Sequence, residues 1–314
     1  MCFFFAPAFI KSTFSRINFI SSIYFSDKIY STMSELMRLS EDEFPVLLGE
    51  ISDPPQSLWV QGSLPPPHYK FLTVVGSRRV SRYGKDACEH LVQGLAGYPI
   101  SIVSGLALGV DGIAHKSALK AGLHTVAVPG SGLSEKVLYP RTHIHLAREI
   151  VAGGGALLSE FEPEEPPAQY KFGKRNRIMA GMSHAVLIIE ATQKSGTLIT
   201  AKLTVDYNRD LLVVPHSIFA EGGEGGHLFM KLGASPVRTS GDILDALQLT
   251  EETIAPPEMS DIEAFVYEKL SSPLPRDELI RELDMPTSEA NALLLRMEIN
   301  GLIKEVMGEI RKTR

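Results

Sequence analysis

The chain has 314 residues, 44% of them hydrophobic and 22% charged, with a net charge of −6. That size and composition suit one large and one small globular domain with a sizeable core. The negative balance excludes a protein that coats nucleic acid through bulk charge, and two distant cysteines, Cys2 and Cys88, exclude a disulfide framework and fit a reducing cytosol.

Residues 1–32 are rich in Phe, Ile and Ser. No apolar run there is long enough to span a membrane. The apolar MCFFFAPAFI precedes the first cation, Lys11, which is the reverse of a secretory signal. We expect Met33 to be the natural start and residues 1–32 to be a non-native or disordered extension.

Residues 33–64 form a short lead, helical and then extended, because Pro54, Pro55 and Pro65 to Pro67 prevent long helices. Apolar runs predict strands at 71–77, 99–105, 124–130, 156–160, 185–191 and 211–215. Helical spacing predicts helices at 83–96, 111–121, 142–152, 197–207 and 225–232. Strands that are apolar throughout and alternate with helices imply a parallel sheet covered on both faces. Residues 65–248 are therefore expected to form a doubly wound, Rossmann-like, mostly parallel sheet. Residues 249–259, LTEETIAPPEM, read as a linker. Three short helices and a two-stranded wing over 260–314 give a small winged-helix domain, with Thr287 as the expected cap of its third helix.

Ligands of an open parallel sheet sit at the carboxyl ends of its strands. Small and polar residues collect there: Gly76-Ser77-Arg78, Ser104-Gly105, Pro129-Gly130-Ser131-Gly132 and Lys194-Ser195-Gly196-Thr197. Glycines admit a phosphate close to the backbone, helix starts present free N–H groups, and Arg78 adds a cation. A second signal is KFGKRNRIMAG, residues 171–181. Lys171, Lys174, Arg175 and Arg177 crowd around Phe172 and Asn176 without an acid between them. We read it as a basic loop with one aromatic, which suits a polyanion carrying bases. The plainer reading of such a run is a solvated charged face.

Neither G-x-G-x-x-G nor a Walker loop is present, which argues against NAD and ATP, and no cofactor is expected. His115, His124, His143, His145 and His184 make no metal-ligand spacing, so no metal site is expected. Asp111 reads as a helix-start residue and Glu190 as a carboxylate at the site edge. No catalytic residue stands out. In residues 258–314 acids outnumber bases by 12 to 8, which repels a duplex backbone and favours a protein-contact role.

The ordered set VGSRRVSRYG, SGLALGVDGIAH, the YP of VLYPRTH, LLSEFEP, FGKRNRIMAG and SGTLITA resembles the bacterial DNA-processing protein A family (DprA, also called Smf). The resemblance covers about residues 45–248 and extends to the acidic tail. It implies a cytoplasmic, dimeric single-stranded DNA-binding protein that is not an enzyme. Such a protein protects incoming DNA and loads the RecA recombinase during natural transformation. It also implies a DNA pocket at Gly76, Ser77 and Arg78 and at Phe172, Arg175, Asn176 and Arg177. The chain departs from the family pattern at Gly173 and His216, where Pro and Gly are usual, and at His143, where Asn is usual. The helical N-terminal domain of many members is missing or reduced. The alternative is an enzyme similar to nucleotide phosphoribohydrolases, with Arg78 and Gly196-Thr197 on a nucleoside monophosphate and a glutamate near Glu190 on the ribose. Thr192 to Thr197, however, lacks the paired glycines of that loop.

Overall fold

This computed structural model describes residues 35–192, 195–250, 260–270, 273–283, 285–300, 302–306 and 308–312. The expected extension at 1–32 and the linker residues 251–259 lie outside them. The chain divides into two compact units, Met1–Ile254 and Ala255–Arg314.

The large unit is built on a nine-stranded sheet. Its strands are β1 (Met37–Leu39), β2 (Leu58–Gly62), β3 (Lys70–Val75), β4 (Ile100–Ser104) and β5 (His124–Ala127). They continue as β6 (Ala156–Ser159), β7 (Ala185–Ile188), β8 (Asp210–Val213) and β9 (Ser235–Pro236). The spatial order is β1-β2-β6-β5-β4-β3-β7-β8-β9. All pairs from β6 to β9 are parallel, and β1 and β2 add an antiparallel edge. The lead segment is therefore part of the sheet, which corrects its expected start at residue 65. Its helical content is two 3-10 turns, Glu41–Glu43 and Val46–Glu50.

Seven helices accompany the sheet: α1 (Arg82–Gln93), α2 (Val110–Lys120), α3 (Ile144–Ala152), α4 (Gln169–Met182), α5 (Thr197–Asp206), α6 (Glu224–Lys231) and α7 (Ser240–Ala246). Side chains alternate between the two faces of each strand. Leu72, Val74, Ile100, Ile102 and Leu187 pack with α1, α2 and α7. Val75, Val103, Val126, Val186 and Ile188 pack on the other face with Ile178, Met179 and Met182 of α4. Burial on both faces is why these strands are apolar throughout. Thr73, one of the few buried polar residues of these strands, donates to Met179 O at 3.1 Å and meets Ser183 Oγ at 2.6 Å, tying β3 to the end of α4. Cys88 is buried at the centre of α1, and burial pushes its thiol up to about 12.

The small unit has α8 (Asp261–Lys269), β10 (Leu274–Pro275), α9 (Arg276–Glu282), α10 (Thr287–Ile299), β11 (Ile303–Val306) and β12 (Glu309–Lys312). This is a winged helix with a three-stranded sheet in the order β10-β12-β11. Val266, Leu279, Leu294 and Met297 close its core with Ile303 and Ile310 of the wing. Arg296 bonds Glu263 at 3.1 Å and joins α10 to α8. Thr287 is not the cap: it is the first helical residue, and Pro286 precedes it in extended backbone.

Leu58, on the antiparallel edge, is fully buried. Leu58→Ala is expected to cost about 2–5 kcal/mol of the large unit's stability, as for core truncations generally. Urea unfolding measures it; a cost near zero would mean that the lead is not part of the core.

Candidate functional site

β3 sits between β4 and β7, and the strand order reverses there. The segments leaving β3 and β7 diverge and leave a crevice, the place where such sheets hold ligands. An open cleft of about 1520 Å³ occupies it. Its walls come from the segment after β3 (Gly76 to Arg79), one face of α4, Glu190, Thr192 and Ser195 to Thr197 after β7, and His216, Ser217 and Ala220 to Gly222 after β8.

The floor is electrostatic. Asp111, in the first turn of α2, is buried, and its Oδ2 accepts from Gly105 N at 3.1 Å and Ala107 N at 3.3 Å. The loop reaches that geometry with Leu106 and Gly109 in the left-handed region, at φ 59° and 77°. Burial holds the Asp111 carboxyl above its usual range, and the Arg175 guanidinium, the two backbone donors and Arg78 offset only part of that rise. Arg175 is buried from the other side. Burial lowers it to about 10, Asp111 opposing and Arg78 adding like-charge repulsion, so it stays cationic at neutral pH. Its Nη1 donates to Val128 O at 2.6 Å. A Cβ at Gly105 would lie 1.5 Å from that nitrogen, so residue 105 must be glycine for Arg175 to sit there. His115, one turn beyond Asp111, is pushed down to about 3, first by burial and then by His143, and is neutral.

Arg78 is exposed, with its guanidinium 5.2 Å from the centre of the Phe172 ring. That ring lies against Gly130, where a Cβ would come within 2.4 Å of it, and 5.7 Å from Tyr139. Two guanidinium groups face one buried carboxylate, which leaves a net positive field beside an aromatic face. Polar groups continue the wall. The Ser195 hydroxyl bonds Thr197 Oγ1 at 2.9 Å at the start of α5, and Ser77 Oγ accepts from Arg79 N at 3.0 Å. The side chain of Asn176 borders the cleft with no hydrogen-bond partner among the described residues.

Of the residues singled out from sequence, the cleft brings together Gly76, Ser77, Arg78, Phe172, Arg175, Asn176, Ser195, Gly196 and Thr197. Lys194 lies outside the described residues. Five others do not line it. Ser104 donates its hydroxyl to Val74 O at 2.7 Å, and Gly105 only makes room for Arg175. Lys171 is buried and pairs with Glu165 at 2.6 Å. Arg177 is buried between Glu160 and Asp53, and Lys174 reaches Glu160 at 3.5 Å. Burial pushes the Glu160 carboxyl up, and Arg177 and Lys174 pull it down.

The expected basic loop is instead wholly helical, within α4. Helical spacing sends Phe172, Arg175, Asn176 and Met179 to one face and turns Lys171, Lys174 and Arg177 away. Sequence reasoning missed Tyr83 and Tyr170 on the walls, and it named Arg79 only as part of the turn after the first strand and His216 only as a departure from the family pattern. Arg79 and Tyr83 stand in the same VGSRRVSRYG run, which was the available signal for them. Glu190 lines the cleft, but its Oε2 accepts from Ser81 N at 2.9 Å, and it lies close against Gly84 and Gly222. That position suits a brace between β7 and α1. Among the described residues no group of His, Cys, Asp and Glu is placed to hold a metal ion, and no helix is long and apolar enough to cross a membrane.

The model of the family described as DNA recombination-mediator protein A matches residues 35–248, and that of the DprA winged helix domain matches residues 250–309. The chain is 35% identical over 285 residues to Protein Smf of Escherichia coli (strain K12), covering 87% of this chain and 76% of that one. It is 38% identical over 204 residues to the DNA processing protein DprA of Streptococcus pneumoniae, covering 65% and 71%. The X-ray structure of DNA processing protein A from S. pneumoniae matches with a TM-score of 0.63 at 35% identity, over 72% of this chain and 80% of that one. A structure of DNA processing protein A from Helicobacter pylori, described for its single-stranded DNA binding mode, matches at 0.60 and 29% identity, over 68% and 96%.

Arg177→Ala is expected to leave Glu160 buried without its partner and to cost about 3–5 kcal/mol in urea unfolding. A cost under about 1 kcal/mol would give the pair the character of a solvated surface contact.

Proposed function

The chain belongs to the DNA recombination-mediator protein A family, and from that premise we propose that it binds single-stranded DNA in the switch-point cleft. The observation that carries this reading is the placing of Arg78 over the Phe172 ring, with Arg175 in the same cleft lining, at the switch point. The cations take phosphates, the ring takes a base, and the start of α5 and Asn176 offer further donors. A single strand is preferred over duplex because its bases are free to stack. The cleft, at about 1520 Å³, exceeds the roughly 300–1,000 Å³ that holds one small molecule. Room for several nucleotides favours a strand over the phosphoribohydrolase reading. So does Glu190, whose carboxylate is engaged by backbone N–H. The protein acts by binding and has no catalytic step.

The finer role is that of a recombination mediator. It protects incoming single strands as a homodimer and loads them with the RecA recombinase during natural transformation, in the cytoplasm. Leu228 on α6 and Leu232 just past its end, both exposed, offer apolar surface for such contacts. The winged helix takes a protein-contact role, supported by its acidic balance and by exposed Leu295 and Ile299 on α10.

Titration of fluorescent oligo-dT at two salt concentrations, with a matched duplex alongside, tests the reading. Tight, salt-sensitive binding to the single strand is expected. Arg78→Ala should weaken it and reduce the slope of log K against log salt by about 0.7, the share of one single-strand phosphate. No binding at low salt would overturn the reading, and release of free base from a nucleoside monophosphate would establish the enzyme instead.

A further inference from the structure

We propose that Phe219, with Ile218 beside it, is a second base-stacking platform on the β8 side of the cleft. The proposal rests on the reading that the cleft holds single-stranded DNA. Phe219 is 91% exposed and Ile218 81%, the largest exposures among the described large apolar residues of the large unit apart from Val46. Their neighbours Ser217 and Ala220 both line the cleft.

The turn that carries them is held in place. Ala220 N donates to Ser217 O at 3.0 Å, and Phe219 N to Ser217 Oγ at 3.3 Å. The Tyr83 hydroxyl donates to Pro215 O at 2.8 Å, and His227 Nε2 bonds His216 O at 3.0 Å. The chain therefore holds a bare aromatic ring in solvent at the edge of an anion cleft. Exposed apolar groups in such a place mark a binding surface.

Sheet order separates this ring from the first one. Phe172 lies against Gly130, beyond β5, whereas Phe219 follows β8. The ends of β5 and β8 are four strand spacings apart, about 19 Å. A mononucleotide cannot touch both rings, but a strand of several nucleotides can. The turn runs on into Glu221 and Glu224, which repel phosphate. Phe219 therefore meets a base and leaves the backbone to Arg78 and Arg175 on the other side of the switch point.

The test is a binding titration of the full chain against dT20, dT2 and a 20-unit abasic sugar–phosphate strand, with Phe219→Ala, Phe219→Trp and Arg78→Ala. Phe219→Ala is expected to weaken dT20 about fivefold or more, the share of one stacked base, with the salt slope unchanged. Binding of dT2, too short to reach from one ring to the other, and of the abasic strand should not change, and Phe219→Trp should restore dT20. Equal dT20 binding by Phe219→Ala and the parent chain, with Arg78→Ala still weakened, would overturn the platform and leave the cleft reading intact. No dT20 binding by the parent chain would overturn both. A changed sedimentation coefficient for Phe219→Ala would make the turn a subunit contact and overturn the platform as well.

Discussion

Asp111 and Arg175 hold the cleft in its shape. A buried guanidinium carries a large desolvation cost, and a carboxylate buried alone carries another. Here each lies in the field of the other. Asp111 also gathers the N–H groups of Gly105 and Ala107, so its charge organises the loop after β4. His143 supports the same loop from behind through Leu106 O, at 2.8 Å. Arg78 adds a second cation, exposed at the cleft, which attracts Asp111 and repels Arg175.

The remaining cations of α4 do structural work. Lys171, Lys174 and Arg177 reach Glu165 and Glu160, in and beside the acidic segment that precedes the helix. Two runs of opposite charge, adjacent in sequence, thus neutralise one another along one side of α4 and leave the other side to the cleft. A chain with net charge −6 can in this way keep a local positive field. Only a small part of its basic residues needs to face the ligand.

Much of this architecture was legible from residues alone. Apolar runs ending in Gly or Ser located the parallel strands, and the turns after β3 and β7 proved to be walls of one crevice. What escaped was decided by distant contacts. KFGKRNRIMAG has too little apolar periodicity to declare itself a helix, because one of its faces is a polar cleft wall and another a set of ion pairs. The β1–β2 edge was hidden in a proline-broken stretch and is defined only by its pairing with β6. Ser104 and Gly105 look like phosphate-binding residues in sequence. Their small size instead serves Val74 and Arg175. Phe219 carried no periodic signal, since a turn has none.

The pairing of β3 with β7 has a consequence for how the molecule is made. Phe71 N donates to His184 Nδ1 at 3.1 Å across 113 residues of chain, and the two walls of the cleft stand on opposite sides of that junction. Contacts so far apart in sequence form late, because the loop must close before they contribute. A ribosome delivers Arg78 long before Arg175 and the turn after β7. The nascent chain therefore exposes single cations and separate apolar strands, but no assembled cleft, until β7 has emerged. The cleft thus takes shape only with the closing of the sheet, once β7 (Ala185–Ile188) has joined β3.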